Sequence, residues 1–471
     1  MSRRVTRRRA LAAAGYLAAA PAFSLNRVWG ANDRIRVAGI GVGGKGSSDI
    51  EHAGRVMDVV ALCDIDDQRL EQRARTWPSA QKFFDYRTLF ERMARDIDAV
   101  VVSTADHSHA PASMMAMRLG KHVYCQKPLT HTIEEARLMR EAAARYKVCT
   151  QMGNQGSALN GLRRAVELVR GGAIGNVAEV HVWTNRPAQY WKQSPDITAR
   201  PMEAPVPKHV HWEEWIGPAA MRPYAVAFAP RPAYHPHDWR GYWEFGTGAL
   251  GDMACHTANM PFRALNLDAP TAVVADAAEI NTETFPAWGH IQYKFPARGT
   301  LPACTLHWYE GKRGNSRVLP PGDLIGRLNL RPGEQLPASG SILVGDKGIL
   351  FSPSDYGNLF RIVPETIVEG RQLTRPETLP AGAESDQGGA HDAYQKAEWA
   401  RAIRENRPEI ATSNFDYAGR LTEAMLLGNI AVRFAGTELR WDAAKLTFTN
   451  NEAASRLVRK EYRRGWDLVR G

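Results

Sequence analysis

The sequence predicts an α/β fold in two parts: an N-terminal doubly wound parallel sheet, then an α+β region with a large open, mainly antiparallel sheet. Three observations carry this reading. Between residues 34 and 150, short apolar runs alternate with helix-like stretches, the pattern of a parallel sheet with helical crossovers. A glycine-rich turn follows the first of those runs. Past residue 150 the alternation gives way to a loop-rich stretch dense in Pro and Trp, Pro187 to Tyr242, and then to a series of strand-like runs. At roughly 150 residues per domain, a chain of 471 residues holds two or three domains and a large core. The expected boundaries are 1–22 for a leader, 33–150 for the first domain and 151–471 for the second.

Composition narrows the function classes. With 44% hydrophobic and 23% charged residues and no low-complexity tract, the chain is an ordinary globular one. Five of the ten net positive charges come from Arg3, Arg4, Arg7, Arg8 and Arg9. The remaining excess, spread over about 450 residues, makes no basic stripe and argues against nucleic-acid binding. Cys63, Cys125, Cys149, Cys255 and Cys304 are odd in number, widely spaced and free of CxxC pairs, so neither a disulfide framework nor a zinc site is expected. Thirteen Trp, fourteen Tyr and fourteen Phe suggest an aromatic-lined cleft, although buried structural use is the commoner explanation.

Arg7-Arg8-Arg9-Ala10-Leu11, the earlier Arg3-Arg4 pair, the weakly apolar run Ala10 to Ala20 and the small-residue site Ala20-Pro21-Ala22 read as a twin-arginine export signal. The alternative is an N-terminal amphipathic arm; the apolar stretch, interrupted by Gly15, is too short to span a bilayer. Export of an already folded protein suits a chain that loads a cofactor in the cytoplasm and has no disulfide plan. The expected location is periplasmic, or otherwise exported by that route, with no stable membrane insertion.

In the first domain, Arg34 to Ile40 reads as a buried strand, and Gly41-Val42-Gly43-Gly44-Lys45-Gly46 follows as GxGxxG before a helix-like stretch. Gly41 permits the tight turn, Gly43 lets the backbone approach a pyrophosphate, and Gly46 allows close helix–sheet packing with the helix N-terminus facing the phosphates. The second strand, Val59 to Cys63, ends at Asp64, twenty-one residues after Gly43, where a carboxylate can accept both adenosine ribose hydroxyls. Its charge repels a 2′-phosphate, so NAD is expected in preference to NADP, with Arg69 the nearest residue that could offset it. Ile97 to Ser103 and His122 to Cys125 are further strands, separated by helical patterns such as Ala112 to Leu119 and Ile133 to Tyr146. The expectation is a Rossmann-type sheet.

The ordered motifs then resemble the Gfo/Idh/MocA family, named for glucose-fructose oxidoreductase, inositol dehydrogenase and rhizopine catabolism proteins. Cys63-Asp64-Ile65-Asp66 resembles the family's second-strand ending, and Asp85-Tyr86-Arg87 its DYR/DFR segment. Thr104-Ala105-Asp106-His107-Ser108-His109-Ala110 is similar to TPDHxHA, and Gly120 to Leu129 is similar to GKHVxxEKP. Two departures stand out: Ala105 replaces the usual Pro, and Gln126 the usual Glu, which removes a carboxylate beside the nicotinamide ribose. The resemblance implies cofactor contacts from Thr104, Asp106, His107, Gln126 and Lys127. It also implies that Lys127 faces both the nicotinamide and the substrate hydroxyl; without the motif, a solvated lysine before a turn proline would be the simpler reading.

Gly153-Asn154-Gln155 resembles the family's GNQ segment, and Trp212 to Pro218 resembles the WDLWLGPA-like segment of exported members. Asp252 and His256, four residues apart, share one helix face, so the acid can orient or charge-tune the imidazole. The bland alternative is a surface ion pair; the resemblance implies the family's catalytic pair, with His256 accepting the hydroxyl proton near neutral pH. His235-Pro236-His237-Asp238 has metal-ligand chemistry, but no metal is expected. Asn154, Gln155, His235, His237, Trp239 and Arg240 are instead expected to contact substrate or make structural hydrogen bonds.

Residues Ala272 to Glu279, Gly289 to Phe295, Cys304 to Tyr309 and Ser341 to Val344 read as strands, with Gly345-Asp346-Lys347-Gly348 a turn like the family's GDKG. Leu421 to Arg433 reads as a packing helix, with Ser413 or Asn414 available as its cap. The open sheet face must be covered, and the resemblance implies another subunit, giving a homo-oligomer, dimer or tetramer. The leading expectation is therefore an exported NAD-dependent oxidoreductase acting on a secondary hydroxyl of a sugar, polyol or glycoside. Two alternatives stand beside it: a redox-assisted glycoside hydrolase or lyase with tightly bound, recycled NAD, and a non-catalytic sugar-binding protein.

Overall fold

A computed structural model describes residues 34–186, 191–228, 231–368, 390–467 and 469; the expected leader, residues 1–22, lies outside the described residues. The first sheet is six-stranded and parallel, formed by β1 (Arg36–Ile40), β2 (Asp58–Cys63), β3 (Gln81–Phe83), β4 (Ala99–Val102), β5 (His122–Cys125) and β6 (Thr150–Met152) in the order β3-β2-β1-β4-β5-β6. Helices cover its faces, so β1 and β4 are nearly continuous apolar runs. The crossover helices are α1 (Lys45–Gly54), α2 (Asp67–Ala74), α3 (Tyr86–Met93), α4 (His109–Arg118) and α5 (Ile133–Tyr146). Their starts are set by side chains: Asp66 caps α2, Asp85 caps α3, and Thr132 with Glu135 forms a capping box on α5. The alternation expected from sequence is present, with α4 starting three residues before the apolar pattern suggested.

The second sheet is ten-stranded among the described residues. After α6 (Asn160–Arg170) come β7 (Val177–Thr184), then the small three-stranded sheet of β8 (Met202–Glu203), β9 (Ala225–Phe228) and β10 (Arg231–Pro232), with α7 (Trp212–Ile216) inside it in sequence. Next are α8 (Gly248–Thr257), α9 (Asn259–Ala264), β11 (Ala272–Ala277), β12 (Trp288–Phe295), β13 (Cys304–Arg313), β14 (Ser316–Arg317), α10 (Gly322–Gly326), β15 (Ser339–Gly345), β16 (Ile349–Ser352) and β17 (Arg361–Val363). The chain closes with α11 (Ala390–Glu405), α12 (Phe415–Ala431), β18 (Leu439–Asp442), β19 (Thr447–Phe448) and α13 (Glu452–Arg456). The order is β17-β16-β15-β7-β13-β12-β11-β18-β19, with β14 on β13, and the pairs are antiparallel except β7 with β13.

One face of this sheet packs under α8, α9 and α12, where Val180, Val182, Ile291, Tyr293, Leu306 and Trp308 share a core with Leu250, Met253, Phe262 and Leu427. The opposite face is partly covered by the chain itself: Leu324, Leu328 and Leu336 pack on Trp183, Ile342 and Phe351. Beyond that cover the face is polar and half-buried, with His290 and Gln292 of β12 beside Thr305 and His307 of β13, Gln292 directly opposite His307. Asn414 caps α12 as expected, but the helix begins at Phe415 rather than Leu421.

Among the elements with no forecast, α11 matters most to the core. Its Trp399, Ala402 and Ile403 pack against Ile35, Val37, Ile50, Val59, Tyr124 and Cys149 of the first sheet and its helices. Its other buried positions are Ala400 and the polar Asp392, Gln395, Lys396 and Glu398. A helix whose buried face is half polar shows no apolar periodicity, which is the signal that sequence reading relies on.

Glu398 is fully buried; one oxygen accepts from the Thr412 amide at 2.7 Å and hydroxyl at 2.8 Å, and the other pairs with the Arg163 guanidinium. Replacing Glu398 by Ala leaves Arg163 buried without its counter-ion. The expected loss in urea unfolding is about 3–5 kcal/mol; a loss under 1 kcal/mol would show that the pair carries no such weight.

Candidate active site

A cleft with a cavity volume of about 470 Å³ opens at the C-terminal ends of β1, β2, β4 and β5, where the strand order reverses. The glycine turn forms one end. Gly41 has φ 77°, a conformation that costs a side-chain-bearing residue energy, and a Cβ at Gly46 would lie 1.8 Å from the Gly41 carbonyl oxygen. The turn therefore brings the N-terminus of α1 against the sheet as the spacing requires. Gly41, Gly43, Gly44 and Lys45 line the cleft, whereas Val42 and Gly46 lie behind it, buried.

Asp64 lines the cleft, with its carboxylate holding the turn. Oδ2 accepts from the Val42 and Gly43 amides at 2.8 and 3.0 Å, and Oδ1 from the Asp66 amide at 3.0 Å. Burial, only partly offset by these donors, raises its pKa. Arg69 lies over Gly43, close enough that a Cβ there would meet its Cδ at 2.5 Å. Lys45, expected to face a cofactor, is ion-paired to Asp49 at 3.0 Å and Asp392 at 2.7 Å.

At the other end, Lys127 follows β5 and reaches α8. Its Nζ is 2.7 Å from Asp252 Oδ1 and donates to the Asp252 carbonyl at 3.1 Å, while Arg240 Nε lies 3.6 Å from the same Oδ1. Burial alone would raise the Asp252 carboxyl, but the two cations outweigh it and hold its pKa below the ordinary value. Asp252 and His256 share a helix face, but the carboxylate hydrogen-bonds to Lys127 and not to the imidazole, so of the two expected effects it tunes the imidazole by charge and does not orient it. The partly buried Lys127 ammonium offers the carboxylate a full charge, which the imidazole does not.

His256 keeps a buried Nδ1 without a hydrogen-bond partner and sets its ring edge-on to Tyr356, with centroids 5.0 Å apart. Burial, reinforced by the Lys127 charge, pushes its pKa well below the ordinary range and keeps it neutral. Asp106 is buried too and accepts from the Thr247 hydroxyl at 2.7 Å. Burial outweighs that bond and the nearby Arg240, pushing Asp106 up to about 7.

Other expected contacts are redistributed. His107 lines the cleft but is buried, its ring nitrogens facing the Trp215 carbonyl at 2.9 Å and the Phe245 carbonyl at 3.3 Å; it ties the stretch between β7 and α8, the insertion at residues 191–245, to the first sheet. Thr104 lines the cleft, its hydroxyl donating to Ala105 O. Asn154, expected to meet substrate, is fully buried: it donates to Cys255 O at 3.2 Å and accepts from the Ser413 hydroxyl at 2.5 Å, pinning α8 to the start of α12. Gln155, His237, Trp239 and Arg240 do line the cleft.

His235 lies at the glycine-turn end, with Nε2 3.0 Å from Asp66 Oδ2. Around it the insertion closes on the β2–α2 turn: His211 meets Asp67 at 2.9 Å, Val210 bridges Asp66, and the His211 amide donates to Ile65 O. The sequence reading missed Arg186, Trp191, Tyr356 and Trp466, which also line the cleft from loops and the C-terminal segment; an isolated Trp or Arg in a loop carries no local signal.

Two family models match in tandem: an oxidoreductase family with NAD-binding Rossmann fold over residues 34–154, and the C-terminal α/β domain of the same family over residues 161–301. An inositol 2-dehydrogenase 3 of Saccharopolyspora erythraea is 33% identical over 156 residues, 31% of this chain and 44% of that protein. A glycosyl hydrolase family 109 protein of Shewanella pealeana is 31% identical over 157 residues, 31% of this chain and 34% of that protein. The matches thus span less than half the length of these curated relatives. The crystal structure of an inositol dehydrogenase homolog from Azotobacter vinelandii, complexed with NADH and myo-inositol, superposes with a TM-score of 0.56 at 15% identity, covering 87% of this chain and 98% of that one, and shares the fold.

The Asp106 carboxyl gives a pH signature. Its pKa is about 7 in the folded chain against about 3.9 unfolded, so the folded state binds the extra proton between those values. The stability it contributes is complete below about pH 4 and is lost as pH rises through 7. Asp106→Asn removes that loss: between pH 4 and 8, urea unfolding of the wild type should lose on the order of 3 kcal/mol relative to the variant. Parallel pH curves for the two proteins would contradict this assignment.

Proposed function

Because this chain belongs to the Gfo/Idh/MocA oxidoreductase family, we propose that it is an NAD-dependent enzyme moving hydride from a secondary hydroxyl of a sugar, polyol or glycoside. The observation that carries the reading is the meeting of Lys127, Asp252 and a neutral His256 in the cleft that begins at the glycine turn. The residues fit the dinucleotide: Gly41, Gly43 and Gly44 line the cleft with side-chain-free backbone for a pyrophosphate, Arg69 lies over Gly43, and Gln126 and Lys127 line the other end. The negative charge of Asp64 favours NAD over NADP. When bound, the nicotinamide supplies the hydride acceptor. His256, neutral and with an unpartnered nitrogen, accepts the substrate hydroxyl proton. Lys127, held 2.7 Å from Asp252, donates to the same oxygen, stabilising negative charge as it develops there. Trp191, Trp239 and Tyr356 line the cleft and give it aromatic surface suited to a sugar. No metal enters this scheme.

One observation favours the second reading, a glycoside hydrolase or lyase that oxidises, eliminates and reduces with one recycled NAD. The insertion closes over the dinucleotide end through His235 with Asp66 and His211 with Asp67, a geometry suited to retaining a cofactor. The glycosyl hydrolase family 109 relatives support the same reading. Both readings use Lys127 and His256; the third, a sugar-binding protein without turnover, uses neither. The polar open face of the second sheet is the surface proposed for a second copy of the chain.

Assays on a glycoside panel, with and without added NAD, separate the readings. Ketone and NADH formed in equal amounts identify net oxidation, and aglycone release over many turnovers without added NAD identifies the recycled cycle. In either case Lys127→Ala and His256→Ala should each lower turnover by about 10²–10⁴-fold while NADH binding stays within a few-fold. Wild-type turnover in both variants would remove these residues from the mechanism.

We propose also that the chain is exported by the twin-arginine route, from the paired arginines and Ala20-Pro21-Ala22. Changing Arg3, Arg4, Arg7, Arg8 and Arg9 together to lysine should leave an uncleaved protein in the cytoplasmic fraction, since that route reads guanidinium groups and not charge alone. Continued cleavage and export of the lysine variant would exclude it.

A further inference from the structure

Gln126 stands at the cleft wall where the sequence departs from its family, and the side chains behind it explain the departure. Its Nε2 donates to Asp49 Oδ2 at 2.8 Å, and its Oε1 accepts from the Lys127 amide at 3.2 Å. The amide lies flat across Gly153, where a Cβ would come within 2.5 Å of Nε2 and 2.6 Å of Cδ. The side chain is thus held from three sides, next to the lysine proposed to act on substrate.

Asp49, on α1, is fully buried, and its oxygens are saturated. Oδ1 pairs with Lys45 and Lys396, both at 3.0 Å, and Oδ2 accepts from the Ser103 hydroxyl at 2.9 Å and from Gln126. Four donors fill about four lone-pair sites. Lys396 reaches in from α11, also fully buried, with its ammonium 3.4 Å from the Tyr124 ring centroid. Asp392 of the same helix neutralises Lys45 at 2.7 Å, and His391 lies 3.9 Å from Asp392. From β5, the Tyr124 hydroxyl donates to Gln395. Two ammonium groups therefore meet two carboxylates, and the cluster is neutral only while residue 126 is uncharged.

We propose that Asp49 and Lys396 are positioning residues for the cofactor cleft, acting through Gln126, and that Asp49 supplies from α1 the negative charge that would otherwise stand at position 126. A glutamate at 126 would set a second carboxylate 2.8 Å from Asp49 with no donor left to share, so one of the two must take a proton. The amide is what lets the side chain turn its donor inward and its acceptor toward Lys127. The affinity arm of the test rests on the NAD reading above; the stability arm does not.

The test compares Gln126→Glu, Asp49→Asn and the double variant by NADH fluorescence titration from pH 6 to 8 and by thermal unfolding. Gln126→Glu should weaken NADH at least tenfold at pH 8, with the penalty shrinking toward pH 6 as the carboxylate pair takes up a proton. Asp49→Asn should lower the unfolding midpoint by leaving Lys396 without its charge partner. The double variant restores a neutral cluster: NADH affinity should return to within threefold of wild type, flat with pH, and the midpoint should exceed that of either single variant. Gln126→Glu binding within twofold of wild type at every pH, or losses that simply add in the double variant, would overturn the proposal. If wild-type protein binds no NADH, the cofactor reading fails, and the midpoints alone decide: recovery in the double variant supports the positioning role, and additive losses reject it.

Discussion

The rest of the site depends on one charge contact across the seam between the two sheets, the 2.7 Å pair of Lys127 and Asp252. A largely enclosed ion pair of this kind, each side chain about 15% exposed, contributes little net stability, because desolvating both groups cancels most of their attraction. Its effect is positional. Lys127 hangs from the end of β5, and Asp252 stands in the second turn of α8, so forming the pair fixes how the second half meets the first. With Asp252 bonded to Lys127 and Arg240, His256 is left without a carboxylate hydrogen bond, and burial together with the Lys127 charge outweighs the pull of Asp252, so it stays neutral.

The preference for charge in buried places recurs at the cleft's other wall. Asp49 and Lys396 are fully enclosed, as is Glu398 opposite Arg163, and each is satisfied by donors or acceptors drawn from distant parts of the chain. Buried polar groups of this kind hold a single arrangement, because any alternative leaves a charge unpaired in a medium that cannot solvate it. Apolar contacts alone would tolerate small slips of α11 along the sheet. A lysine that must find Asp49 does not.

Much of this was legible from the residues. GxGxxG with an acid twenty-one residues on and the i, i+4 spacing of Asp252 and His256 follow from local geometry, whereas Lys127, just past β5, stands out only through the resemblance of Gly120 to Leu129 to a family motif. What escaped depends on partners that are remote in sequence. Nothing near Asp252 says that it will turn to Lys127 rather than His256, and nothing near Asn154 says that Ser413 and Cys255 will enclose it. The spacing of Asp64 fits a ribose ligand; its bonds to the turn amides depend on loop conformation, which spacing does not encode. Helix α11 is the extreme case, since half of its buried face is written in Asp, Gln, Lys and Glu.

That helix also bears on how the chain can be made. The six strands of the first sheet are complete by Met152, but one of its cores is closed by Trp399, Ala402 and Ile403. During synthesis the first half emerges with the apolar ground around Ile35, Val37 and Val59 uncovered, and the residues that cover it follow on the order of tens of seconds later at about 5–20 residues per second. The order of translation and the order of assembly are therefore not the same. The nascent first half is a natural client for a chaperone that shields a single exposed patch, and cutting the gene after the sixth strand would yield a soluble domain only if that patch were redesigned.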